Sequence, residues 1–343
     1  MIFDDFNFKM KEKIDMKKIR FGVLGVSNHF YKRIALPLNE TTNCEVYAIA
    51  SRDVSKAKEA GEDFGIPVSD LTYEELINHD EVDAIYIPQP NHLHAEWTIK
   101  ALKAGKPVLC EKPLAMDAKE AKQMADVSKR LNVPFMEGFM YRFHPLWQHI
   151  RDIIRTNQIG QINSVHTIFT YNNPSSSNIR NIKEFGGGAL MDIGCYAISV
   201  PRFLFGSEPD KVMATMEEHP EFGTDMHTTA LMQFGSANAS FFVSTSSEPF
   251  QKVEIIGSAG TITVHVPFNT YVDTPSTITV STGQGAREVE FPICDPYGLM
   301  FDAFSSALID QKPVPVPIED AISNMKVIDA VVKSAKSGKW ETV

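Results

Sequence analysis

A lysine, an aspartate and a tyrosine are the residues of this sequence best suited to act together in catalysis. Lys112 follows a predicted strand in the segment CEKP, and Asp192 and Tyr196 lie four residues apart in the segment GGGALMDIGCY. Residues with that spacing share one face of a helix. When hydride reaches the carbon of a carbonyl group, a proton must reach its oxygen, and a neighbouring phenol can deliver it.

A phenol delivers a proton readily only if its pKa falls from about 10 toward neutrality. An ammonium group close to a phenol favours the phenolate, so we expect Lys112 to lower the pKa of Tyr196. Asp192 would hold the lysine charged or bind a substrate hydroxyl. The structural alternative is a surface lysine and a helix that packs on a sheet with Tyr196 half-buried. The catalytic hypothesis requires that Lys112, Asp192 and Tyr196, which come from two halves of the chain, meet at the reacting oxygen atom of the substrate.

The segment after the first predicted strand is typical of a loop that binds a dinucleotide. Such a loop has one glycine for its tight turn, a second for approach to the pyrophosphate and a third for helix packing. Gly25 keeps the first position, whereas Ser27 and Phe30 occupy the others. The Ser27 hydroxyl can donate to a phosphate, and Phe30 requires a wider gap between helix and strand. We therefore predict a cofactor loop formed by Gly25, Ser27, Asn28 and His29. The alternative is a simple tight turn.

The end of the second predicted strand indicates which dinucleotide binds. An NAD site usually has an acid there, about 20 residues past the glycines. This strand ends in Ser51 and Arg52, and Asp53 is better placed to cap the next helix. A hydroxyl and a planar guanidinium suit a 2′-phosphate, so we predict NADP(H) rather than NAD(H) as the cofactor. An exposed arginine on a solvated turn is the structural alternative.

Two patterns of secondary structure must position these residues. From Ile19 to Phe139, short β-branched runs alternate with stretches of helical period, which predicts a parallel sheet covered by helices. Strands are expected at 19–24, 45–50, 84–88, 108–110 and 133–136, and helices at 54–64, 73–78, 94–104 and 118–131. We predict a dinucleotide-binding Rossmann domain over residues 16–139, preceded by a disordered tail over residues 1–15.

The pattern changes after His144 to long alternating runs joined by short turns that contain glycine, as in antiparallel hairpins. Strands are expected at 162–171, 212–217, 228–234, 237–245, 253–256, 261–266, 277–281 and 288–291, and helices at 145–156, 188–205, 297–309 and 318–337. Residues 140–343 are predicted to form an α+β domain with a large, mostly antiparallel open sheet, which binds substrate and whose last helix can pack back on the first domain. One face of residues 237–245 is polar but uncharged, which predicts a homo-oligomer, a dimer or tetramer, formed through this sheet.

Charge and composition argue against several classes of protein. The chain has 33 basic and 43 acidic residues, a formal charge of −10, which argues against nucleic acid as a partner. No apolar run reaches about 18 residues, so we expect no membrane span. The cysteines are scattered without a CxxC pair, as expected of reduced thiols in the cytoplasm. His92 and His94 lack the accompanying ligands of a metal site, so no metal is predicted.

Four segments, taken together in order, carry a resemblance to a known family. They are IYIPQPNHLHAEW at 85–97, EKP at 111–113, EGFMYRFHP at 137–145 and GGGALMDIGCY at 186–196. The sequence resembles the Gfo/Idh/MocA family, the glucose-fructose oxidoreductase and inositol dehydrogenase group, over nearly the whole chain after Met16. The resemblance implies that Lys112 is the catalytic or polarising lysine. Tyr196 places the chain with members that have tyrosine, not histidine, four residues after the helix aspartate.

The same resemblance implies several cofactor contacts. It places Pro90, Asn91 and His94 beside the nicotinamide ribose, Glu111 on the ribose, and Tyr141 to His144 near cofactor or substrate. Family members whose second strand ends in Ser-Arg resemble NADP-dependent enzymes. This resemblance agrees with the cofactor predicted above.

The leading hypothesis is an NADP(H)-dependent oxidoreductase that interconverts an alcohol and a carbonyl on a sugar or sugar-like polyol. A nucleotide-sugar ketoreductase and a free-sugar or dihydrodiol dehydrogenase are alternatives within that class. The loop from Asn172 to Arg180 could dock hydroxyls or a diphosphate, and the nearby cations Arg180 and Lys183 do not decide between them. Some relatives are sugar-responsive regulators without catalysis, and a few cleave glycosides with bound NAD. A regulator has no need of Lys112 together with Tyr196.

Overall fold

The structure is a computed structural model that describes residues 18–39, 41–271 and 273–343. The predicted tail, residues 1–15, and the predicted start of the first domain at Met16 lie outside the described residues.

The first sheet has five parallel strands in the order β2-β1-β3-β4-β5. These strands are β1 (Ile19–Leu24), β2 (Cys44–Ala50), β3 (Ala84–Ile87), β4 (Val108–Glu111) and β5 (Phe135–Gly138). β3, β4 and β5 are buried throughout, as expected of a parallel sheet covered on both faces. The carboxyl ends of all five strands meet at one edge, which is where open α/β sheets bind ligands. The predicted Rossmann architecture is confirmed.

Helices cover both faces of this sheet. They are α1 (Asn28–Phe30), continued by a π-helical turn over Tyr31–Ala35, α2 (Leu36–Asn39), α3 (Val54–Phe64), α4 (Tyr73–Ile77), α5 (His94–Lys103) and α6 (Ala118–Leu131). Three of these helices begin at a capping side chain, since Asp53, Thr72 and Asp117 each accept a hydrogen bond from a backbone N–H of the first turn. The cap predicted at Asp53 is confirmed. The chain leaves α5 through a left-handed residue, Gly105, with φ +78°.

The second sheet has nine strands in the order β13-β12-β11-β10-β6-β9-β8-β7-β14. They are β6 (Ile162–Asn172), β7 (Lys211–Glu218), β8 (Asp225–Phe234), β9 (Ala237–Ser244), β10 (Ser246–Gly257), β11 (Gly260–Val264), β12 (Ser276–Thr282), β13 (Gly285–Phe291) and β14 (Glu341–Thr342). Its pairings are antiparallel apart from β6 with β9. The large, mostly antiparallel sheet is therefore confirmed.

Four further helices belong to the second half of the chain. They are α7 (Pro145–Arg155), α8 (Cys195–Phe205), α9 (Pro296–Ile309) and α10 (Ile318–Ser337). The helix predicted over 188–205 begins with a π-helical turn, Leu190–Gly194, which carries Asp192. α9 packs under the parallel sheet, where the rings of Phe21 and Phe301 lie 4.9 Å apart. α10 contacts both α6 and β7, so it joins the two sheets into one body.

One helical stretch of the described chain, Lys183–Phe205, is long and apolar enough to compare with a membrane span. Seventy-eight per cent of its most apolar window is buried inside the fold. That burial is typical of a core helix, and α8 accordingly packs against β6, β9 and α10.

Candidate active site

A cavity of about 1290 Å³ opens at the carboxyl edge of the parallel sheet, between that sheet and the second domain. The first domain contributes the residues that follow β1, β2 and β3 and the end of β4. The second domain contributes the end of β6 and the turn that leads into α8. Apart from His94 and the segment Tyr141 to His144, the residues predicted to contact cofactor or substrate line this cavity: Gly25, Ser27, Asn28, His29, Ser51, Arg52, Pro90, Asn91, Glu111, Lys112, Asp192 and Tyr196.

Lys112 and Asp192 form an ion pair across the cavity wall. The Lys112 Nζ donates to the backbone oxygen of Asp192 at 2.7 Å and lies 3.3 Å from its Oδ1. The two side chains are 11% and 15% exposed, so water screens the pair little. Burial lowers the pKa of Lys112, but Asp192 and other neighbouring groups outweigh burial and raise it above its ordinary value. The lysine is therefore charged at neutral pH.

Asp192 has two further partners that the sequence analysis did not identify. The Tyr171 hydroxyl donates to Asp192 Oδ2 at 2.6 Å, and the Arg180 Nε donates to the same oxygen at 2.9 Å. Burial raises the pKa of Asp192, but Arg180, Lys112 and the Tyr171 hydroxyl together hold that pKa well below its usual range. The carboxylate is ionised and fixed by three donors.

Tyr196 lies beside this ion pair, with a different orientation from the one predicted. The Lys112 Nζ stands over the face of the Tyr196 ring, 4.7 Å from its centroid, rather than at the hydroxyl. The hydroxyl donates to Met140 Sδ at 3.4 Å. Burial and the Glu111 carboxylate raise the pKa of Tyr196 well above 10. The expected fall of this pKa toward neutrality is therefore wrong in this structure, because the ammonium does not contact the phenol oxygen.

The predicted cofactor loop forms the cavity wall beyond β1. Gly25 has φ +132°, a backbone conformation that side chains rarely adopt, and this supports its predicted turn. Ser27 caps the following helix, and its Oγ accepts from the Phe30 N–H at 3.2 Å, which leaves the hydroxyl hydrogen available to a ligand. Phe30 itself is fully buried and packs edge-on against Phe64 at 5.9 Å. It belongs to the core rather than to the cavity wall.

The end of β2 places two cations on the cavity wall. Ser51, Arg52 and Lys56 line it, and the Arg52 guanidinium forms no ion pair with any residue that the structure describes. Asp53 accepts from the Ser55 N–H at 3.1 Å, as predicted for a helix cap. A planar cation, an ammonium and a hydroxyl are the donors that suit a phosphate group. This donor set fits the 2′-phosphate of NADP.

Glu111 is held at the end of β4 by two groups. The Tyr86 hydroxyl donates to Glu111 Oε1 at 2.7 Å, and His29 Nε2 lies 3.6 Å from the same oxygen. Burial raises the pKa of Glu111, but His29 and Lys112 outweigh it and lower the pKa below its usual value. The resulting carboxylate faces the cavity, where it can accept hydrogen bonds from hydroxyls. The role of Tyr86 was not predicted.

The segment after β3 contains one residue that faces the cavity and one that does not. Asn91 Nδ2 donates to the backbone oxygen of Gly186 at 2.8 Å and so links the two domains. His94 is fully buried, and its ring nitrogens lie 3.0 Å from the oxygen of Pro113 and 2.7 Å from that of Gln89. The expectation that His94 lies beside the cofactor is corrected, because its ring instead holds two loops together.

The segment Tyr141 to His144, expected near cofactor or substrate, lies behind the cavity wall. The Tyr141 hydroxyl is 2.7 Å from Ser199 Oγ, and its ring is 5.9 Å from that of Tyr196. Arg142 is paired with Asp320 at 2.9 Å, and His144 caps α7. None of these residues lines the described cavity. Of these residues, Tyr141 packs against Tyr196 from the core.

No group of three or more metal-binding side chains occurs in the described parts of the chain. His92, one of the two histidines considered for a metal, stacks on the ring of Phe185 at 4.3 Å. The absence of a metal stays a prediction.

Comparisons with known proteins agree with this geometry. The family described as "Oxidoreductase family, NAD-binding Rossmann fold" matches residues 19–139, and the "GFO/IDH/MocA C-terminal domain" matches residues 147–263. A D-xylose 1-dehydrogenase (NADP(+)) from Haloferax volcanii is 33% identical over 93% of this chain and 98% of its own length. An uncharacterized oxidoreductase from Rhizobium meliloti is 37% identical over 96% of this chain and 100% of its own.

A solved structure is also similar over nearly its whole length. It is a 3-ketoreductase from Actinomadura kijaniata in complex with NADP and TDP-benzene, with a TM-score of 0.87 and 29% identity over 93% of this chain and 98% of that one. Matches to both domain families and to full-length relatives above 30% identity establish the relationship. The chain belongs to the Gfo/Idh/MocA family of oxidoreductases, which have an NAD-binding Rossmann fold.

Proposed function

We propose that this oxidoreductase uses NADP(H) to interconvert an alcohol and a carbonyl group on a sugar or sugar-like polyol. The observation that carries the proposal is the ion pair between Lys112 and Asp192, which lies against Tyr196 in the same cavity as the donors around Arg52. The named relatives, a D-xylose 1-dehydrogenase (NADP(+)) and a 3-ketoreductase in complex with NADP, support the same cofactor and reaction class.

The residues of the first domain would hold the dinucleotide along the carboxyl edge of the sheet. Gly25, Ser27, Asn28 and His29 would contact its pyrophosphate, and Ser51 and Arg52 its 2′-phosphate. Pro90, Asn91 and Glu111 would contact the nicotinamide ribose. The bound nicotinamide supplies or accepts hydride at the reacting carbon.

The chain's own residues then control the reacting oxygen. Lys112 Nζ has three N–H donors, of which two are directed at Asp192, so one remains for the oxygen of the substrate. Its positive charge stabilises the oxyanion that develops during reduction. Tyr196 holds a proton at its hydroxyl and would exchange its weak bond to Met140 Sδ for a hydrogen bond to the substrate oxygen. Because the pKa of this phenol is raised, transfer of its proton depends on the basicity of the developing alkoxide. Asp192 keeps Lys112 charged and oriented.

The open face of the nine-stranded sheet is our proposed interface for a homo-oligomer. Ile168, Leu231 and Ile256 project from that face and are 37%, 40% and 37% exposed. They alternate with polar residues, including a hydrogen-bonded pair, His166 Nδ1 and Ser240 Oγ, at 2.7 Å, and with an ion pair between Lys252 and Glu254 at 2.7 Å. Such a mixed surface, whose charges are paired, suits contact with a second copy of the same sheet. The four cysteines are free thiols, as predicted, which supports a location in the cytoplasm.

The direct test is to follow NADPH absorbance with the purified protein. Free aldoses with NADP⁺, and keto-sugars and nucleotide-linked sugars with NADPH, cover both directions of the reaction. Turnover of at least one substrate is expected. No change in absorbance with any of them, despite NADPH binding, would contradict the proposal and favour a regulator that binds the nucleotide without catalysis.

A further inference from the structure

The helix that carries Asp192 and Tyr196 receives its N-terminal cap from a distant strand. It follows three consecutive glycines, 186–188, and runs without a break from the π-helical turn Leu190–Gly194 into α8. The first N–H groups of a helix have no acceptor within the helix, and a glycine has no side chain to supply one. Asp225, the first residue of β8, does so instead, because its Oδ2 accepts from the Leu190 N–H at 2.7 Å.

The carboxyl group of Asp225 is fixed from two sides. It is buried, and the oxygen that caps the helix also accepts from the Thr228 hydroxyl at 2.8 Å. Its other oxygen, Oδ1, packs against Gly188, where a Cβ atom would collide with it. Gly188 also has φ +118°, a conformation that favours glycine. The third glycine of the motif therefore makes room for Asp225, which itself does not line the cavity.

The capped turn provides both contacts of the Lys112 ammonium with Asp192. Lys112 Nζ donates to the backbone oxygen of Asp192 at 2.7 Å and lies 3.3 Å from its Oδ1. The Asp192 N–H in turn donates to the backbone oxygen of Gly188 at 3.0 Å. The shorter of the two contacts uses a backbone atom, which cannot adjust as a side chain can. A movement of the turn would therefore move the acceptor of Lys112 directly.

We propose that Asp225 is a positioning residue for the reaction: its carboxyl group fixes the helical turn whose Asp192 oxygens hold the Lys112 ammonium at the reacting position. An acidic group at a helix N-terminus is stabilised by the N–H groups that it caps, so the cap and the turn hold each other in place. This inference rests on the proposed function and adds to it a residue that lies outside the cavity.

The test follows Lys112 itself as well as turnover. Acetic anhydride reacts with the uncharged form of an amine, so the rate at which Lys112 is acetylated at pH 8, measured by mass spectrometry, reports on its pairing. Burial lowers the pKa of Lys112, and among its neighbours Asp192 raises that pKa most. In Asp225→Ala, where this pair loosens, we expect roughly tenfold faster acetylation of Lys112. With the best substrate, kcat should fall roughly tenfold, while KM for NADPH should change little.

Two controls separate positioning from general stability. Asp210→Ala removes an exposed carboxylate that accepts the Gly235 N–H at 2.7 Å in the same domain, outside the cavity, and should leave both measurements unchanged. Lys106, whose ammonium donates to two backbone oxygens of the first domain, is an internal reference and should keep its acetylation rate. Equal increases for Lys106 and Lys112 would indicate a general loosening of the fold and would overturn the inference.

A milder variant, Asp225→Asn, decides the question if Asp225→Ala does not fold. Its amide oxygen can still accept from the Leu190 N–H, but more weakly than a carboxylate does, so we expect changes in the same direction of roughly threefold. Wild-type acetylation of Lys112 and wild-type kcat in a folded Asp225 variant would overturn the inference and leave the proposed function intact. Absence of turnover in the wild type would instead refute the proposed function, and the acetylation rates would still test the link between Asp225 and Lys112.

Discussion

The hydroxyl of Tyr171 donates to Asp192 Oδ2 at 2.6 Å, on the side of the carboxylate opposite to Lys112. Tyr171 is the next-to-last residue of β6, the central strand of the second sheet, and Asp192 lies on the π-helical turn before α8. The carboxylate that pairs with Lys112 is therefore itself oriented by the second sheet. This relationship makes Tyr171 a positioning residue for Lys112.

Replacing Tyr171 by Phe should shift the pH dependence of the reaction as well as its rate. The lost hydrogen bond to an ionised group is worth about 1.5–3 kcal/mol, so kcat should fall by roughly 10-fold and at most about 150-fold. Because the hydroxyl lowers the pKa of Asp192, its removal raises that pKa, and the acid limb of the kcat/KM profile should move to higher pH. Tyr47→Phe, which is outside the cavity, is the control. An identical pH profile in Tyr171→Phe would show that Tyr171 has only a structural role.

Removal of the lysine ammonium tests the core of the mechanism. Lys112→Ala should lower kcat by about 10²–10³, the usual cost of losing a preorganised group at the developing charge. NADPH affinity, measured by fluorescence titration, should change little. Lys100→Ala serves as the control, because Lys100 forms exposed ion pairs with Glu74 and Glu96 away from the cavity. Undiminished turnover in Lys112→Ala would remove the proposed mechanism.

Arg52 should determine the preference for NADPH over NADH. Loss of a charged hydrogen-bonding partner for the 2′-phosphate predicts a fall in NADPH affinity of roughly 10- to 100-fold in Arg52→Ala. NADH affinity should stay the same, since NADH lacks that phosphate. Arg155→Ala, on an exposed helix end, controls for the loss of a surface charge. Equal affinities of the wild type for the two dinucleotides would refute the assignment of Arg52.

The fold could be predicted where local chemistry decides the structure. α3, α6 and α10 match their predicted bounds, because capping residues or glycines mark their ends. β5 begins two residues later than predicted, because the Val133 N–H donates to Ser128 and closes α6. The predicted strand at 253–256 captures only the end of β10, whose first part has an irregular register and mostly exposed side chains. β14 has two residues, too few to show an alternating pattern.

The site could be predicted only in part. Lys112, Asp192 and Tyr196 lie in distinctive local segments, and the structure brings them into one cavity. The contacts of Asp192 with Tyr171 and Arg180 depend on how a strand, a loop and a helix meet, which no local pattern encodes. The pKa of Tyr196 was mispredicted because spacing on a helix does not reveal whether an ammonium meets the ring face or the hydroxyl.

The proposed oligomer can be tested on the open face of the second sheet. Leu231→Glu places a charge on that face, and burying an unpaired carboxylate in an interface is strongly unfavourable. The variant should sediment as a monomer under conditions in which the wild type forms a dimer or tetramer. Leu36→Glu, at a side chain 62% exposed on the other domain, should leave the assembly unchanged. A wild-type protein that sediments as a monomer at all concentrations would contradict the proposed interface.

The contribution of Glu137 to the free energy of unfolding should decrease as the pH rises. Its side chain is buried on β5, where Oε1 accepts from the Leu114 N–H at 2.8 Å. Burial, reinforced by Asp320, raises the pKa of Glu137 to about 8. Between its unfolded pKa near 4.5 and about 8, the folded protein therefore binds more protons than the unfolded chain, so the free energy of unfolding decreases with rising pH. Over that whole window the decrease attributable to Glu137 is at most about 5 kcal/mol.

Glu137→Gln removes this titration and keeps an oxygen for the Leu114 N–H. Urea unfolding at pH 5 and pH 8 should show a smaller decrease in stability for the variant than for the wild type, with the difference concentrated at the higher pH. Glu341→Gln is the control, because Glu341 has a lowered pKa and its pairing with Lys333 strengthens stability above its unfolded pKa rather than weakening it. If wild type and Glu137→Gln lose the same stability between the two pH values, Glu137 is ionised in the folded protein, and its buried carboxylate must then be neutralised by Arg142 or Arg202.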